Sequence, residues 1–515
     1  MTPHILPVGA DAILVQLDSL DETLALFAAL RRAPIAGVTQ LLPAAQTILV
    51  TFDRTRTTAA QIAGIISQRD TTATFQTQGR DIEIPVTYDG QDLAEVAALT
   101  SLTVAEVITR HTATPWRVAF NGFAPGFSYL CGGDPALTVP RRTTPRTAIP
   151  AGAVALAGQF AGVYPKASPG GWQIIGTTQL PMFDLTRTPA ALLRPGDRVH
   201  FVQRPYTRPA PPAPTPEPVA TTGMHITATP LPLLLQDLGR AGLIDQGIGP
   251  SGAADAGALR ALNHMLGNPA STPALEVLGG GTRLSFDGPC VIGVTGATRT
   301  VTVNGAPVPS HHPIAIDAGD TVELLPPDSG LYGYIGVRGG FRVPSVLGSA
   351  ATDTLAQIGP APITAPHCLA LAQAHAAPVA FITPPALPRS GTVTEIDIIM
   401  GPRDDWFPPE TVARLTTQIW DVTPQSSRVG KRLHADHPLT RPDTRELPSE
   451  GATKGAIQVP HSGEPVLFLA DHPLTGGYPV IAVVAPHHLD LAAQLPPGAQ
   501  VRFRPTPPTK DATTP

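Results

Sequence analysis

The feature that most constrains this chain is a stretch of sequence that occurs twice. "SPGGWQIIGTT" is followed by "LLRPGDRVHF", and "LTGGYPVIAVV" is followed by "QLPPGAQVRF". Upstream of these, "IPAGAVALAGQ" and "TKGAIQVPHSG" are related as well. Short apolar runs punctuated by Gly and Pro read as β strands. Self-similarity on this scale means one compact β unit, about a hundred residues long, used twice. Between the copies lies "QRPYTRPAPPAPTPEPVATT", residues 203–222, where proline alternates with small or polar residues. Such a stretch is a stiff, extended spacer. The chain therefore divides into two halves, and duplication followed by fusion is the simplest history.

At 515 residues the chain exceeds one ordinary core, since a domain takes about 100–200 residues. Its 60 Pro and 48 Gly, with 42 % hydrophobic residues, point to an α+β, β-rich class with barrels or sandwiches. In residues 1–80, "ADAILVQLD" and "QTILVTFD" read as strands, while "LDETLALFAALRR" and "TAAQIAGIISQRD" have helical spacing. That segment is expected to be a small α+β sandwich. Residues 81–204 hold the first β domain, 205–222 the linker, 223–395 a β-rich domain and 396–508 the second copy of the β unit. Thr103 and Glu106 form a capping box for a short helix ending near His111. A further helix is expected from about Ala254 to Leu266, stopped by Gly267, Asn268 and Pro269.

The formal charge of −5 gives no basic footprint, so no nucleic-acid partner is expected. Cys131, Cys290 and Cys368 lie far apart without CxxC or paired-His spacing, which argues against disulfides and zinc. No apolar run approaches a membrane span, and the first residues lack a basic region before their apolar ones. A cytoplasmic protein is expected, with no membrane partner.

Three stretches carry candidate sites. "NGFAPGFSYL", residues 121–130, reads as a strand that breaks into a loop pinned by Phe120, Phe123, Phe127 and Tyr129. A loop of this kind offers fixed backbone N–H groups to an anion or polar ligand. With it go "VPRRTTPR" and "YPKASPGGW": Arg141, Arg142 and Arg146 suit a carboxylate or phosphate, and Gly170 and Gly171 allow close approach beside Trp172. The same arginines also suit a charged surface turn. In the second half, Asp237, Arg240, Ser251 and Asp255 fall on loops before a helix. Ser251 and Asp255 suit either ligand contact or capping. Arg428, Arg432, Ser449, Gln458, Asp471, Gly476, Gly477 and Tyr478 bring charge, hydroxyl and bare backbone together. No P-loop, HExxH or GxSxG segment occurs. The pairs His311–His312 and His487–His488 would diverge on a strand, which disfavours chelation by either pair alone.

At "HTATPWRVAFNGFAPGFSYL", "VPRRTTPRTAIPAGAVALAG" and "YPKASPGGWQIIG", the first half resembles the B component of bacterial 5-oxoprolinase, also described as the kinase-inhibitor Kip family or allophanate-hydrolase subunit 1. From "LLQDLGRAGLIDQGIGPSGAADAGALRALNHMLGNPASTPALEVLGGG" through "GAIQVPHSGEPVLFLADHPLTGGYPVIAVV", the second half resembles the C component, the Kip antagonist or carboxyltransferase-domain family. The resemblance implies a ferredoxin-like amino-terminal domain and cyclophilin-like β-barrels. It implies a ligand-binding role for Phe123, Pro125, Gly126, Arg142, Arg146, Gly171 and Trp172. The reaction implied is ATP-dependent opening of 5-oxo-L-proline to glutamate, magnesium accompanying the nucleotide. It would be performed with a separate protein of the LamB/YcsF family, the A component of 5-oxoprolinase. Two alternatives follow from the same resemblance: the carboxyltransferase module of a biotin-dependent urea carboxylase, or a module regulating a histidine kinase. No biotin-accepting Met-Lys-Met segment occurs in this chain. A small carboxylate or amide is the expected substrate class, and a homo-oligomer is compatible with it. Where relatives carry GSRST and GGYPKI, this chain has "GSAATDTLAQIGPAP" and Val480, so two cations are absent from those positions.

Overall fold

The computed structural model describes residues 3–69, 79–144, 146–205, 220–443, 445 and 447–507. Residues 206–219 of the proline-rich spacer lie outside the described residues. The first domain is a four-stranded antiparallel sheet, ordered His4–Val8, Ala12–Gln16, Thr47–Phe52, Val38–Pro43. Its two helices are Leu20–Arg32 and Ala59–Ile66. Both start where local chemistry dictates: Ser19 and Thr58 accept from the third N–H along, and Thr58 completes a capping box with Gln61. One sheet position departs from the ferredoxin-like order β-α-β-β-α-β. The strand beside Ala12–Gln16 comes from the amino terminus, not from the chain after the second helix.

The duplication is complete at the level of topology. In the first copy, seven strands lie in the order Gln173–Thr177, Ala153–Ala157, Phe160–Val163, Ser128–Cys131, Trp116–Asn121, Arg198–Gln203, Asp81–Val86. A bridge between Thr87 and Thr177 brings the sheet's ends together. In the second copy the order is Val480–Val484, Ala456–Gln458, Val466–Phe468, Gly430–His434, Trp420–Val422, Gln500–Pro505, Val393–Met400, and the barrel closes. Each copy has one parallel pair, made by its first and last strands. Each also has a helix followed by a tryptophan whose indole N–H donates five residues back: Trp116 to His111 at 3.2 Å and Trp420 to Leu415 at 2.9 Å. The helix Val104–Ala113 before Trp116 carries the expected Thr103–Glu106 capping box.

Residues between the copies form a nine-stranded antiparallel sheet built on the long strands Cys290–Val303 and Thr321–Val337. The helix Ala256–Leu266 packs Leu259, Leu262 and Leu266 into the core shared with the closed barrel. Its cap is Asp255 and its stop is Gly267 in the left-handed region.

The two halves interlock. Val8, Leu14, Leu42 and Leu49 of the first sheet share an apolar cluster with Phe468, Leu474 and Val483 of the closed barrel. Among the described residues, no helix is long and apolar enough to cross a membrane. All three cysteines are free.

Candidate active site

The loop after Trp116–Asn121 is fastened by its rings. Phe120 stacks on Tyr129 at 4.4 Å between centroids, and Phe127 meets Tyr164 and Trp172 edge-on at 5.3 and 5.4 Å. Its backbone is not open to an anion, which corrects the expectation drawn from the sequence. The N–H groups of Gly122, Ala124 and Phe127 bond within the loop. Those of Phe123 and Gly126 cross to the second half, reaching Thr475 Oγ1 and the Gln246 carbonyl at 3.0 Å each. Asn121 Nδ2 donates to the Asp245 carbonyl at 2.7 Å. The loop is a clasp between halves, and Phe123 is held in it at φ 64°, a left-handed conformation uncommon for a bulky side chain.

The clasp brings the two glycine pairs to one place. Phe123, Gly170, Gly171 and Trp172 of the first half line a cavity of about 240 Å³ with Gln458, Gly476, Gly477 and Tyr478 of the second. Arg141, Tyr164 and Ser449 are also on its wall. A Cβ on Gly170 would lie 2.4 Å from the Tyr164 hydroxyl, and one on Gly476 would lie 2.6 Å from Gln458 Nε2. A side chain at either position would displace those polar groups. An inner chamber of about 270 Å³ shares Phe123 and Pro473 with this cavity and adds Pro125, Lys166, Asp353 and His472. Burial raises the Tyr164 hydroxyl well above its ordinary range. Burial also lowers His472, which is neutral near pH 7 and donates from Nδ1 to the Pro473 carbonyl at 2.9 Å.

Several residues expected at a ligand are engaged elsewhere. Arg146 holds buried Asp92 through both terminal nitrogens at 2.9 and 2.6 Å, and Arg142 adds a bond at 2.8 Å. The Ile174 N–H donates to the same carboxylate at 2.7 Å. Burial pushes Asp92 up, yet Arg146 and Ile174 together hold it below the usual carboxylate range. The second copy has the opposite signs at the matching place: Glu450, on the small two-stranded sheet, pairs with Arg403.

Arg428 is enclosed by Glu276 and Asp471, donating to Asp471 at 2.9 and 3.0 Å. Asp471 also accepts the hydroxyls of Ser251 and Thr354, each at 2.6 Å. Arg240 donates to the Ala351 carbonyl at 2.5 Å from a buried position. Asp255 caps its helix and accepts from Gln494 Nε2 at 2.7 Å. Asp237 accepts from Ser349 Oγ at 2.6 Å. Gly126 serves the clasp. Arg432 is exposed on its barrel strand, and none of these residues lines the cavity between the glycine pairs.

Val480 is buried in the apolar cluster between the halves, so a lysine there would face hydrocarbon. His487 and His488 do not sit on a strand; they occupy the turn Pro486–His488 with rings 4.3 Å apart. They meet at Asp397, whose N–H donates to His488 Nδ1 at 2.8 Å and whose carboxylate accepts from Arg504 Nε at 2.6 Å. His488 Nδ1 is thus engaged by the Asp397 N–H.

Residues 246–505 match the carboxyltransferase domain, subdomain A and B, and residues 3–193 match its subdomain C and D. The chain belongs to the carboxyltransferase-domain family. It is similar to the C component of 5-oxoprolinase from Escherichia coli K12, 31 % identical over 290 residues covering 55 % of this chain and 89 % of that protein. It is 48 % identical to the B component of 5-oxoprolinase from Escherichia coli O157:H7 over 131 residues, 25 % of this chain and 60 % of that protein. Urea amidolyase of Saccharomyces cerevisiae matches at 31 % over 308 residues, 55 % of this chain but 17 % of that protein. The crystal structure of TTHA0988 superposes with a TM-score of 0.84 at 32 % identity, covering 96 % of this chain and 99 % of that one.

In this carboxyltransferase-domain protein, sequence reasoning passes over Asp92, Tyr164, Lys166, Asp353, His472 and Thr475. A signal exists for two of them. Aligned on their Gly-Gly pairs, "YPKASPGGW" and "DHPLTGGYP" place Lys166 opposite His472. Asp353 lies inside a segment conspicuous only for the cations it lacks.

Proposed function

We propose that this chain is the joined B and C component of an ATP-dependent 5-oxoprolinase. With a separate LamB/YcsF-family protein as the A component, it would convert 5-oxo-L-proline, ATP and water to L-glutamate, ADP and phosphate. The observation that carries this reading is the cleft itself. Its walls come from a B-like half and a C-like half, and neither half encloses the space alone.

An unstrained lactam is a poor electrophile, so its opening calls for activation of the carbonyl oxygen, and positioning with electrostatics carries most of a phosphoryl transfer. The cavity and the chamber that shares Phe123 and Pro473 with it together offer a space fit for a small carboxylate or amide, to which the cavity adds the polar groups of Gln458 and Tyr164. In this reading ATP and its magnesium meet the substrate on a face shared with the LamB/YcsF-family partner. This chain's own contribution is to bind and orient the substrate and to exclude water.

The test is glutamate release from 5-oxo-L-proline, measured with and without the partner, ATP and magnesium. Turnover is expected only with all components. Robust turnover by the lone chain overturns the partner requirement. The likeness to urea amidolyase supports a second reading, a carboxyltransferase module working with biotin carried on another chain. Biotin-dependent carboxylation of an amide, without glutamate release, would decide for it.

A further inference from the structure

The inner chamber holds two charged groups that the proposed function does not use, and both rest on the same turn. Lys166 Nζ donates to the carbonyls of Ala356 and Gln357 at 2.7 and 3.2 Å. Asp353 Oδ1 accepts the N–H groups of Leu355 and Ala356 at 3.0 and 2.8 Å. The ammonium and the carboxylate thus flank one residue, Ala356, on one wall. An ammonium has three protons to donate, so one of Lys166 is left over. Asp353 Oδ2 has no hydrogen-bond partner among the described residues. Around them the wall is mostly apolar, with Phe123, Pro125 and Leu355. A hydrogen-bond donor next to an acceptor, spaced across a single residue in an apolar chamber, complements a ligand whose own acceptor and donor stand on one carbon.

We propose that the inner chamber binds the amide of an amino-acid-derived carboxylic acid, Lys166 meeting the carboxylate and Asp353 Oδ2 accepting the amide N–H. This assignment deepens the proposed function and rests on it for the class of ligand. It gives recognition of the carboxylate and the amide to Lys166 and Asp353, in the chamber that shares Phe123 and Pro473 with the glycine-walled cavity. Burial and the neighbouring Asp471 carboxylate raise Asp353, and burial lowers Lys166.

The experiment is calorimetric titration of the full chain, without nucleotide or partner. The probes are 5-oxo-L-proline, its carboxamide and its N-methyl derivative. Two variants accompany the wild type. Lys166→Met keeps the length and removes the charge. Asp353→Asn keeps an oxygen for the turn and places an N–H donor where Oδ2 stood. The wild type should bind the acid about tenfold or more tightly than either analogue, the loss expected of a charge-assisted hydrogen bond. Lys166→Met should erase the preference for acid over carboxamide and keep the preference over the N-methyl compound. Asp353→Asn should do the reverse. Equal binding of all three probes by the wild type, absence of binding, or variants that keep both preferences overturns the proposal. If the preferences hold while the complete mixture releases no glutamate, the site stands and the 5-oxoprolinase reading falls. If glutamate is released with unchanged KM by both variants, the function stands and the site falls.

Discussion

Asp92 decides what two arginines do. Arg142 and Arg146 fit a phosphate by type and spacing, but a carboxylate 3 % exposed on its side chain lies between them and must be neutralised where it is. Arg146→Ala should therefore lower stability by about 1–3 kcal/mol, the cost of stripping a buried carboxylate of a charged partner, and leave ligand affinity unchanged. Urea denaturation beside calorimetry checks this; a stable variant with lost affinity would return the residue to the ligand. Because Asp92 is held below its ordinary range, its contribution is present above about pH 4 and is lost as the pH falls through its folded value. Thr475 is the other deciding residue, since its hydroxyl accepts the N–H of strained Phe123 across the seam. Thr475→Val should cost about 1 kcal/mol of stability. It should also weaken 5-oxo-L-proline binding severalfold, because Phe123 walls both chambers. Unchanged affinity in the titration would show that Phe123 holds its place without that bond.

Among the elements, the helix Ala256–Leu266 carries a pH signature at its cap. Burial first, then the nearby Asp490 carboxylate, pushes Asp255 up to about 6 from 3.8. A raised carboxyl keeps its proton in the folded state when the unfolded chain has released it, so its contribution falls as pH rises from about 4 to 6. The Asp255→Asn variant lacks that slope. Relative to wild type it should gain up to about 3 kcal/mol across the window, two pKa units at 1.36 kcal/mol each. Above pH 6 the gap should stay level. Denaturation of both proteins from pH 4 to 7 reads the difference directly; parallel curves would mean that Asp255 ionises freely. The two barrels also show how an element tolerates exchange. Asp92–Arg146 and Arg403–Glu450 join the corresponding two-stranded sheet to its barrel with opposite polarity, because a buried pair needs complementarity rather than a given sign.

For the molecule as a whole, the two halves are held by contact as well as by the chain. The apolar cluster of Leu14, Leu42 and Leu49 with Phe468, Leu474 and Val483 is buried core, and a Cβ on Gly451 would lie 2.6 Å from Leu49 Cβ. Limited proteolysis within residues 203–222 should therefore give two fragments that elute together on a sizing column. Leu49→Asp in the nicked protein should separate them, since an unpaired carboxylate would enter that layer. Fragments of the unaltered protein that part at once would show that the spacer alone joins the halves.

Sequence alone determined the parts that depend on near neighbours. The duplicated Gly-Gly, Pro-Gly and alternating apolar runs marked two β units, and the Thr103–Glu106 box marked a helix start, because strand alternation, turn chemistry and capping act over a few positions. Tertiary structure alone decided which polar groups face the cleft. Asp92 meets Arg146 across 54 positions, and Thr475 meets Phe123 across 352. A guanidinium has the same donors whether its partner is a ligand or a buried carboxylate, so no local pattern records the choice. It is made by the tertiary contact that sets the carboxylate between the arginines, and in this chain the loop that looked like an anion cradle became the clasp that builds the cleft.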